Sequence, residues 1–220
     1  MAKQKIAYVC SECGADHTKW QGQCSACKEW NTLQEFKISN SKSAVVREGY
    51  AGGSLGANKV VKLNDVSLED LPRFTSGMGE FDRVLGGGLV PGSVNLVGGH
   101  PGAGKSTLLL QIMCYLSQHM PALYITGEES LQQVALRAQR LKLPTDKLQM
   151  LSETDVEQIV SIAKHHQPKV MVIDSIQVMH TPGVESAPGS VSQVRESAAY
   201  LTRFAKQSNT VLFLVGHVTK

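Results

Sequence analysis

The sequence predicts an α/β protein in which a parallel sheet flanked by helices follows a small module built around four cysteines. From Lys59 onward, short apolar runs alternate with longer amphipathic runs, which is typical of parallel strands joined by crossover helices. The four cysteines come before this pattern, and a segment rich in Ser, Gly and Asn separates the two parts. We therefore expect a module over 1–35, a flexible linker over 36–58 and the sheet domain over 59–220.

The expected strands are five apolar runs, and amphipathic segments of helical period lie between them. The strands are VNLV (94–97), ALYIT (122–126), KLQML (147–151), VMVID (170–174) and TVLFLVGH (210–217). The helices run from the turn after the first strand through His119, and then over 130–141, 155–166 and 190–207. Residues 179–191 contain two Pro and two Gly, so we expect an irregular loop there.

The overall charge of the chain does not by itself identify a partner. A formal net charge of +3 is only mildly basic, so it permits nucleic-acid binding without predicting it. No apolar run reaches the roughly 20 residues that span a bilayer, and the N-terminus lacks the apolar stretch of a signal peptide. We therefore expect a cytoplasmic protein with no membrane partner.

Two pairs of cysteines predict a metal site in the N-terminal module. Cys10 and Cys13 form one C-x2-C pair, Cys24 and Cys27 form the other, and ten residues separate the pairs. Two such pairs supply the four thiolates of a tetrahedral zinc shell, and a segment this short needs the metal to fold. One C-x2-C pair is also typical of a redox motif, but two pairs favour zinc. Because cysteines fill all four positions, we expect a structural or docking role rather than catalysis.

The module also contains two tryptophans, Trp20 and Trp30. Tryptophan side chains stack on nucleic-acid bases or pack against their own domain. In so small a module we expect them to pack against the cysteine turns.

A glycine-rich segment between the first strand and its helix carries the pattern G-x4-G-K-S, known as Walker A. Glycines let backbone N–H groups converge on phosphate oxygens, and the start of the helix adds its positive dipole. The lysine neutralises the β- and γ-phosphate charge, and the hydroxyl that follows it binds Mg²⁺. We therefore expect ATP and Mg²⁺ at this loop, contacted by Gly99, His100, Pro101, Gly102, Ala103, Gly104, Lys105, Ser106 and Thr107.

Polar residues end three of the other expected strands, and parallel pairing brings such ends together. Asp174 ends VMVID, where it either holds Mg²⁺ with Ser106 or caps the strand, and beside a Walker A loop we expect the metal role. Glu128 and Glu129 follow ALYIT, where one carboxylate suits a general base and the other suits the opening of the next helix. His217 closes the last strand, and for this residue γ-phosphate sensing and strand capping both stay open.

The segments around these residues resemble the RecA-type P-loop ATPases. LPRFTSGMGEFDRVLGGGLVPGSVNLVGGHPGAGKST leads into Walker A as in that family, and the glutamate pair follows the second strand instead of Walker B. With CSECG…CSACKEWNT, ITGEES and VGHVTK added, the sequence resembles the bacterial RadA family, also called Sms, over essentially its whole length. The resemblance implies a RecA-like core behind a four-cysteine zinc module.

The same resemblance implies a cytoplasmic DNA repair ATPase that assembles as a hexameric ring and uses ATP with Mg²⁺. It implies binding of single-stranded and branched DNA, cooperation with RecA, and ATP-driven branch migration during homologous recombination. By matching motif, Lys105 and Ser106 bind phosphate and Mg²⁺, and Asp174 is the Walker B residue. Glu128 becomes the catalytic base, His217 lies in the segment that reads nucleotide state, and the zinc ligands fall on the four cysteines.

The DNA contact implied by this resemblance lies after the Walker B strand. In RecA-type rings the segment matching 179–192 faces the central channel, and we expect it to be mobile without DNA. This loop has no Lys or Arg, but Arg195 offers a charge nearby, and Ser192 and Gln193 offer hydrogen bonds to a DNA backbone. Pairing of Arg195 with Glu196 or another surface acid is the alternative.

Members of the RadA family continue beyond the HVTK strand. A KNRFG motif, the rest of the sheet and a Lon-protease-like domain follow there, and none of them occurs in these 220 residues. We therefore expect an N-terminal fragment whose ATPase core is truncated at its C-terminal side.

Three other functional classes share part of this pattern. A small-molecule kinase shares Walker A, but the loop over 179–191 lacks the arginines of a kinase lid. A signalling ATPase of the KaiC type fits the core but not the zinc module. A non-catalytic adaptor, which uses zinc for docking and ATP only for folding, fits a truncated chain. Stimulation of ATP hydrolysis by single-stranded DNA separates the motor from all three.

Overall fold

The computed structural model of the chain describes residues 6–37, 62, 64 and 72–217. These residues form two sheets, a three-stranded antiparallel sheet near the N-terminus and a five-stranded parallel sheet after it. The expected linker over 36–58 lies almost entirely outside the described residues.

The N-terminal module contains a small sheet that the cysteine pattern did not predict. Its strands are β1 (Ile6–Cys10), β2 (Asp16–His17) and β3 (Leu33–Lys37), in the order β2-β1-β3. Cys10 lies opposite Leu33 in the register of β1 and β3, and both side chains are buried together with Cys24. The cysteine cluster is therefore also the core of this module.

The larger part of the chain is an α/β domain, as the alternation of apolar and amphipathic runs predicts. Its strands are β4 (Val94–Gly99), β5 (Ala122–Thr126), β6 (Gln149–Ser152), β7 (Val170–Asp174) and β8 (Val211–His217). Its helices are α1 (Gly79–Val84), α2 (Lys105–Ser117), α3 (Leu131–Arg140), α4 (Val156–His166) and α5 (Val191–Ser208). The strands pair in parallel in the order β4-β8-β7-β5-β6, so the predicted fold class is confirmed.

Helices cover both faces of this sheet because successive residues of a strand point to opposite sides. Tyr124 and Val172 lie in the apolar cluster formed with α2 and α3, whereas Leu123 and Ile173 lie in the cluster formed with α4 and α5. Burying one such side chain stabilises the fold by about 1.5–3 kcal/mol, so the two clusters hold the strands in register. None of the helices that the structure describes has the length and apolar content needed to cross a bilayer.

The carboxyl ends of adjacent strands meet at one edge of the parallel sheet. Gly99 of β4 lies opposite His217 of β8, and Thr126 of β5 lies opposite Asp174 of β7. Ligands of α/β proteins bind at this edge, in the crevice outside the strand ends. The topology therefore brings the Walker A loop, Asp174 and His217 to one place.

The segment before β4 contains helix α1, which the sequence analysis did not predict. Asp82 of this helix accepts a hydrogen bond from the hydroxyl of Thr75 at 2.5 Å and another from the backbone N–H of Ser76 at 2.8 Å. The ring of Phe81 lies 5.9 Å from that of Phe213 in β8, measured between centroids. The segment that contains α1 thus packs against the sheet, close to β4.

Candidate nucleotide site and candidate metal centre

The turn between β4 and α2 has the shape of a phosphate-binding loop. The strand ends at Gly99 and the helix begins at Lys105. Gly102 and Gly104 have φ angles of 78° and 85°, which glycine adopts without strain. Residues 100–104 are exposed, and the first N–H groups of α2 lack partners within the helix, so the loop is open to an anion.

Lys105 is held at the base of this loop. Its Nζ donates to the carbonyl of Gly99 at 2.9 Å and to that of His100 at 2.8 Å, and it lies 3.3 Å from Nδ1 of His217. The residue is only 8% exposed. Because an ammonium group only donates, Nδ1 of His217 is the acceptor and Nε2 carries the imidazole proton.

Glu128 receives hydrogen bonds from the ends of two neighbouring strands. Nε2 of His217 lies 3.2 Å from Oε1 of Glu128, and the hydroxyl of Ser175 donates to the same oxygen. His217 closes β8 and Ser175 follows β7, so both strands fix this carboxylate. The side chain is still 36% exposed, which leaves the oriented carboxylate open to water.

Glu129 is engaged in a different way. Its carboxylate pairs with Arg137 of α3, and its backbone N–H and carbonyl both bond the hydroxyl of Thr126. Oε2 of Glu129 and Nη1 of Arg137 are buried, and neither has a hydrogen-bond partner among the described residues. Ser130 then begins α3 with a capping box completed by Gln133. The contacts of Glu129 therefore belong to the start of α3.

Asp174 is buried at the end of β7, and its Oδ2 accepts a hydrogen bond of 2.5 Å from the hydroxyl of Tyr124. Burial raises the pKa of Asp174, and hydrogen bonds from Tyr124 and Ser106 oppose that rise. Burial also raises the pKa of Tyr124, so its hydroxyl stays a donor. Ser106 and Asp174 thus present a hydroxyl and a carboxylate side by side, and such oxygen ligands fit Mg²⁺.

Close contacts tie β5 to the segment that follows β7. The N–H of Gly127 donates to the carbonyl of Asp174 at 2.8 Å. A Cβ atom at Gly127 would lie 2.5 Å from Cγ2 of Val178, so only glycine fits there. Gln177 Nε2 donates to the carbonyl of His217 at 3.2 Å. These contacts fix the ends of β5, β7 and β8 relative to one another.

Tyr124, Arg137, Ser175 and Gln177 also belong to this site, and the sequence pattern did not predict them. Tyr124 alone carried a signal, because a tyrosine inside a buried, mainly aliphatic strand needs a partner for its hydroxyl. The other three are common residue types in a helix or after a strand. Only the three-dimensional arrangement brings them to the site.

The four cysteines of the N-terminal module converge on one point. Sγ of Cys10 lies 3.6 Å from that of Cys27, Sγ of Cys13 lies 3.5 Å from that of Cys24, and all four atoms lie within 4.8 Å of one another. Zinc bonds of about 2.3 Å in a tetrahedron separate the sulfurs by roughly 3.8 Å. A disulfide requires about 2.05 Å. The donor set and its spacing therefore fit Zn²⁺, and the hydroxyl of Thr32 lies 3.2 Å from Sγ of Cys10.

A histidine outside the ligand set faces one of these sulfurs. Nε2 of His17 lies 3.5 Å from Sγ of Cys24, and Nδ1 of His17 lies 3.0 Å from Nε2 of Gln21. The amide nitrogen of Gln21 is a donor, so Nδ1 accepts and the proton on Nε2 points at the sulfur. Hydrogen bonds from the backbone N–H of Cys27 and from His17 lower the pKa of Cys24 to about 5. These donors stabilise the thiolate form that binds metal.

The two tryptophans do not pack as expected. Trp20 is 58% exposed and Trp30 is 67% exposed. Trp30 lies over Gly22, whose Cβ position would be 3.5 Å from the indole ring, but most of its surface faces solvent. The expectation of packing is wrong because Cys10, Cys24 and Leu33 already fill the small core.

The residues expected to contact DNA lie in different environments. Arg195 is exposed on α5 and forms no ion pair with any other residue that the structure describes. Gln193 is only 3% exposed, and its amide bonds the backbone of the loop over 181–186. The expectation for Gln193 is therefore wrong, because its side chain is used to hold the loop. Ser192 is half-buried, and its hydroxyl contacts this same loop.

Comparison with known proteins matches both parts of the chain. Residues 79–220 match the protein family described as AAA domain, and residues 8–35 match the family described as rubredoxin metal binding domain. Proteins named DNA repair protein RadA are similar over the whole chain. The identity is 65% over 224 residues for Escherichia coli strain K12, 63% over 224 residues for Salmonella typhimurium and 45% over 221 residues for Bacillus subtilis strain 168. Each alignment covers 100% of this chain but 48% of the relative, so the chain spans about half the length of these curated relatives.

Proposed function

Since the chain belongs to the family described as AAA domain and is similar throughout to RadA DNA repair proteins, we propose that it binds and hydrolyses ATP to do mechanical work on DNA. The work proposed is branch migration of recombination intermediates, in the cytoplasm and together with RecA. One observation carries the proposal, namely the line of contacts from Lys105 through His217 to Glu128. It joins a phosphate-binding lysine to a carboxylate that is open to water.

Nucleotide binding uses the open loop between β4 and α2. The backbone N–H groups of residue 100 and of residues 102–104 would surround the phosphates, since Pro101 has no N–H, and Thr107 adds to the first turn of α2. Lys105 exchanges its carbonyl partners for the β- and γ-phosphate oxygens. A bound Mg²⁺, held through the Ser106 hydroxyl and the Asp174 carboxylate, supplies neutralisation of the charge shared by those phosphates.

Glu128 orients the attacking water and accepts its proton. A general base must be fixed in direction and reachable by water, and Ser175 and His217 fix this carboxylate while it stays 36% exposed. Glu129 lies next to it, but its charge is balanced by Arg137. We therefore assign catalysis to Glu128 and the support of α3 to Glu129.

His217 transmits the state of the nucleotide to the DNA-facing side. When Lys105 turns to the phosphates, Nδ1 of His217 loses its donor while Nε2 still bonds Glu128. The carbonyl of His217 accepts a hydrogen bond from the side chain of Gln177. Gln177 lies just before the loop that precedes α5. A shift of the imidazole is thereby passed to that loop.

The DNA contact is assigned to Arg195 and Ser192 at the start of α5. An exposed arginine and a hydroxyl can bind the phosphates of single-stranded and branched DNA. Such contacts do not depend on the base sequence. Copies of the whole protein form a hexameric ring around the strand in this proposal. The zinc module, which has no open coordination position, serves as a docking element.

ATP hydrolysis measured with and without single-stranded DNA tests the proposal. A motor predicts stimulation by DNA, and Glu128→Gln serves as the control that keeps binding and loses turnover. Hydrolysis that is indifferent to DNA favours a signalling ATPase, and binding without turnover favours an adaptor. Failure to bind ATP at all overturns the assignment of the phosphate loop.

A further inference from the structure

The centre of β5 carries a buried tyrosine whose hydroxyl donates a hydrogen bond to the end of another strand. Tyr124 is 0% exposed and lies in the apolar cluster beneath α2 and α3. In the register of β5 and β7 it lies opposite Val172, two residues before Asp174. Its hydroxyl nevertheless reaches Oδ2 of Asp174 at 2.5 Å. The ring therefore leans along the strands towards the site.

This contact holds Oδ2 of the Asp174 carboxylate and so limits rotation of the carboxylate group. A carboxylate that is free to rotate can offer either oxygen to a cation. Binding a cation then fixes the group in one orientation, and this loss of rotational freedom costs conformational entropy. With Oδ2 held by Tyr124, the carboxylate keeps one orientation, and Oδ1, which accepts no hydrogen bond from Tyr124, stays available to a cation near the hydroxyl of Ser106, which also bonds this carboxylate.

We propose that Tyr124 is a positioning residue that presents a single oxygen of Asp174 to the Mg²⁺ of the bound nucleotide. This inference rests on the proposed nucleotide site and adds to it a residue from the hydrophobic core. Tyr124 itself touches neither nucleotide nor metal. It acts through Asp174, as hydrogen-bonded partners of metal ligands do, and loss of such a partner lowers metal affinity by about 10- to 100-fold.

A purely structural role for the hydroxyl makes a different prediction. If Tyr124 only satisfies its own buried hydroxyl, Tyr124→Phe changes the thermal stability and leaves metal binding alone. If it positions Asp174, the same variant weakens metal binding even where the fold is intact. Tyr115→Phe is the matched control, because Tyr115 is 38% exposed and lies in the last turn of α2 instead of in the sheet.

The experiment measures Mn²⁺ binding by electron paramagnetic resonance, in the presence of a non-hydrolysable ATP analogue. We expect Tyr124→Phe to raise the dissociation constant for Mn²⁺ by about 10-fold or more, with Tyr115→Phe unchanged. Nucleotide affinity measured in excess chelator should stay at the wild-type value, since the lysine and the loop backbone are untouched. An unchanged Mn²⁺ affinity in a folded Tyr124→Phe variant overturns the inference.

A double-mutant cycle keeps the test decisive if Tyr124→Phe also lowers stability. In the Asp174→Ala background, Tyr124→Phe should have no further effect on Mn²⁺ affinity, because the carboxylate that it positions is gone. An equal loss in both backgrounds overturns the positioning role. Nucleotide and metal binding by the unmodified chain, with no change in either variant, defeats this inference alone. Absence of nucleotide binding defeats it together with the proposed function.

Discussion

Nε2 of His217 lies 3.2 Å from Oε1 of Glu128, so that the end of β8 is bonded to the residue pair that follows β5. The same ring faces Lys105 through its other nitrogen, at 3.3 Å. Strand β7 lies between β8 and β5, and it adds the hydroxyl of Ser175 to the same carboxylate oxygen. Three strands thus contribute to one line of polar contacts, and the proposed chemistry depends on each of them.

Replacement of Lys105 by alanine should abolish productive ATP binding. The variant removes the ammonium that faces the β- and γ-phosphates, and loss of such a buried charged contact costs about 2–5 kcal/mol of binding free energy. Isothermal titration with MgATP measures the effect, with the exposed Lys142→Ala as the control. ATP affinity equal to that of the unmodified chain would show that the phosphate loop is assigned wrongly.

The two adjacent glutamates should respond differently to replacement by glutamine, with turnover affected mainly at Glu128 and stability mainly at Glu129. Glu128→Gln removes the carboxylate held by Ser175 and His217, so we expect ATP binding to persist while hydrolysis slows by about 100-fold or more. Single-turnover hydrolysis and nucleotide affinity, measured on both variants, separate the two effects.

Glu129→Gln is the matched control for that experiment. It leaves the charge of Arg137 without its counter-ion, and we expect a loss of stability of about 1–3 kcal/mol with a milder loss of turnover. Thermal melting detects the stability change. The reverse order, with turnover lost in Glu129→Gln and kept in Glu128→Gln, moves the base to Glu129.

The strand and helix pattern of the sheet domain was predictable because it depends on local periodicity. Each of the five predicted apolar runs overlaps a strand, and the phosphate loop followed from its own glycines and from the elements on either side of it. The distinction between Glu128 and Glu129 could not be predicted, since adjacent residues share the same local signals. It depends on Arg137 and His217, which the fold brings close from 8 residues and 89 residues away in sequence.

The chain should bind one zinc ion, and two kinds of substitution should lower its affinity for zinc. Cys24→Ser removes a ligand, so we expect loss of stoichiometric binding. His17→Phe removes the N–H that faces Cys24 and keeps a ring of similar size, so we expect about 10- to 100-fold weaker binding with the four ligands intact. Competition with a chromogenic chelator measures both variants, and replacement of the exposed His165 in His165→Phe is the control. Much less than one zinc per chain in freshly purified, unchelated protein contradicts the metal assignment.

Arg195→Ala should weaken binding of single-stranded DNA equally for all sequences. One phosphate fewer is neutralised, so the slope of log affinity against log salt should fall in magnitude by about 0.7. Fluorescence anisotropy of labelled oligonucleotides over a salt series measures this, in a full-length relative that carries the same arginine. Gln193→Ala is the contrast, because it should loosen the loop over 181–186 without changing the slope. Identical affinity and slope for Arg195→Ala remove this residue from the DNA path.

Two expectations failed because burial is not a local property. Gln193 looked like a surface amide at the start of a helix, but the loop folds back over it and uses its hydrogen bonds. The tryptophans looked like core residues of a small module, but Cys10, Cys24 and Leu33 form that core, with Tyr8, Ala15 and Cys27 packed against them. In both cases the residue type was typical of the local secondary structure, but tertiary contacts determined whether the side chain is buried.

Trp20 and Trp30 are the only tryptophans of the sequence, and both belong to the metal module with more than half of each side chain exposed. Selective excitation of tryptophan therefore yields emission from this module alone, whereas the parallel sheet contributes no indole chromophore. Removal of the metal should alter that emission, while far-ultraviolet circular dichroism is dominated by the helices around the larger sheet. The two optical signals thus follow the two sheets separately in one unlabelled sample.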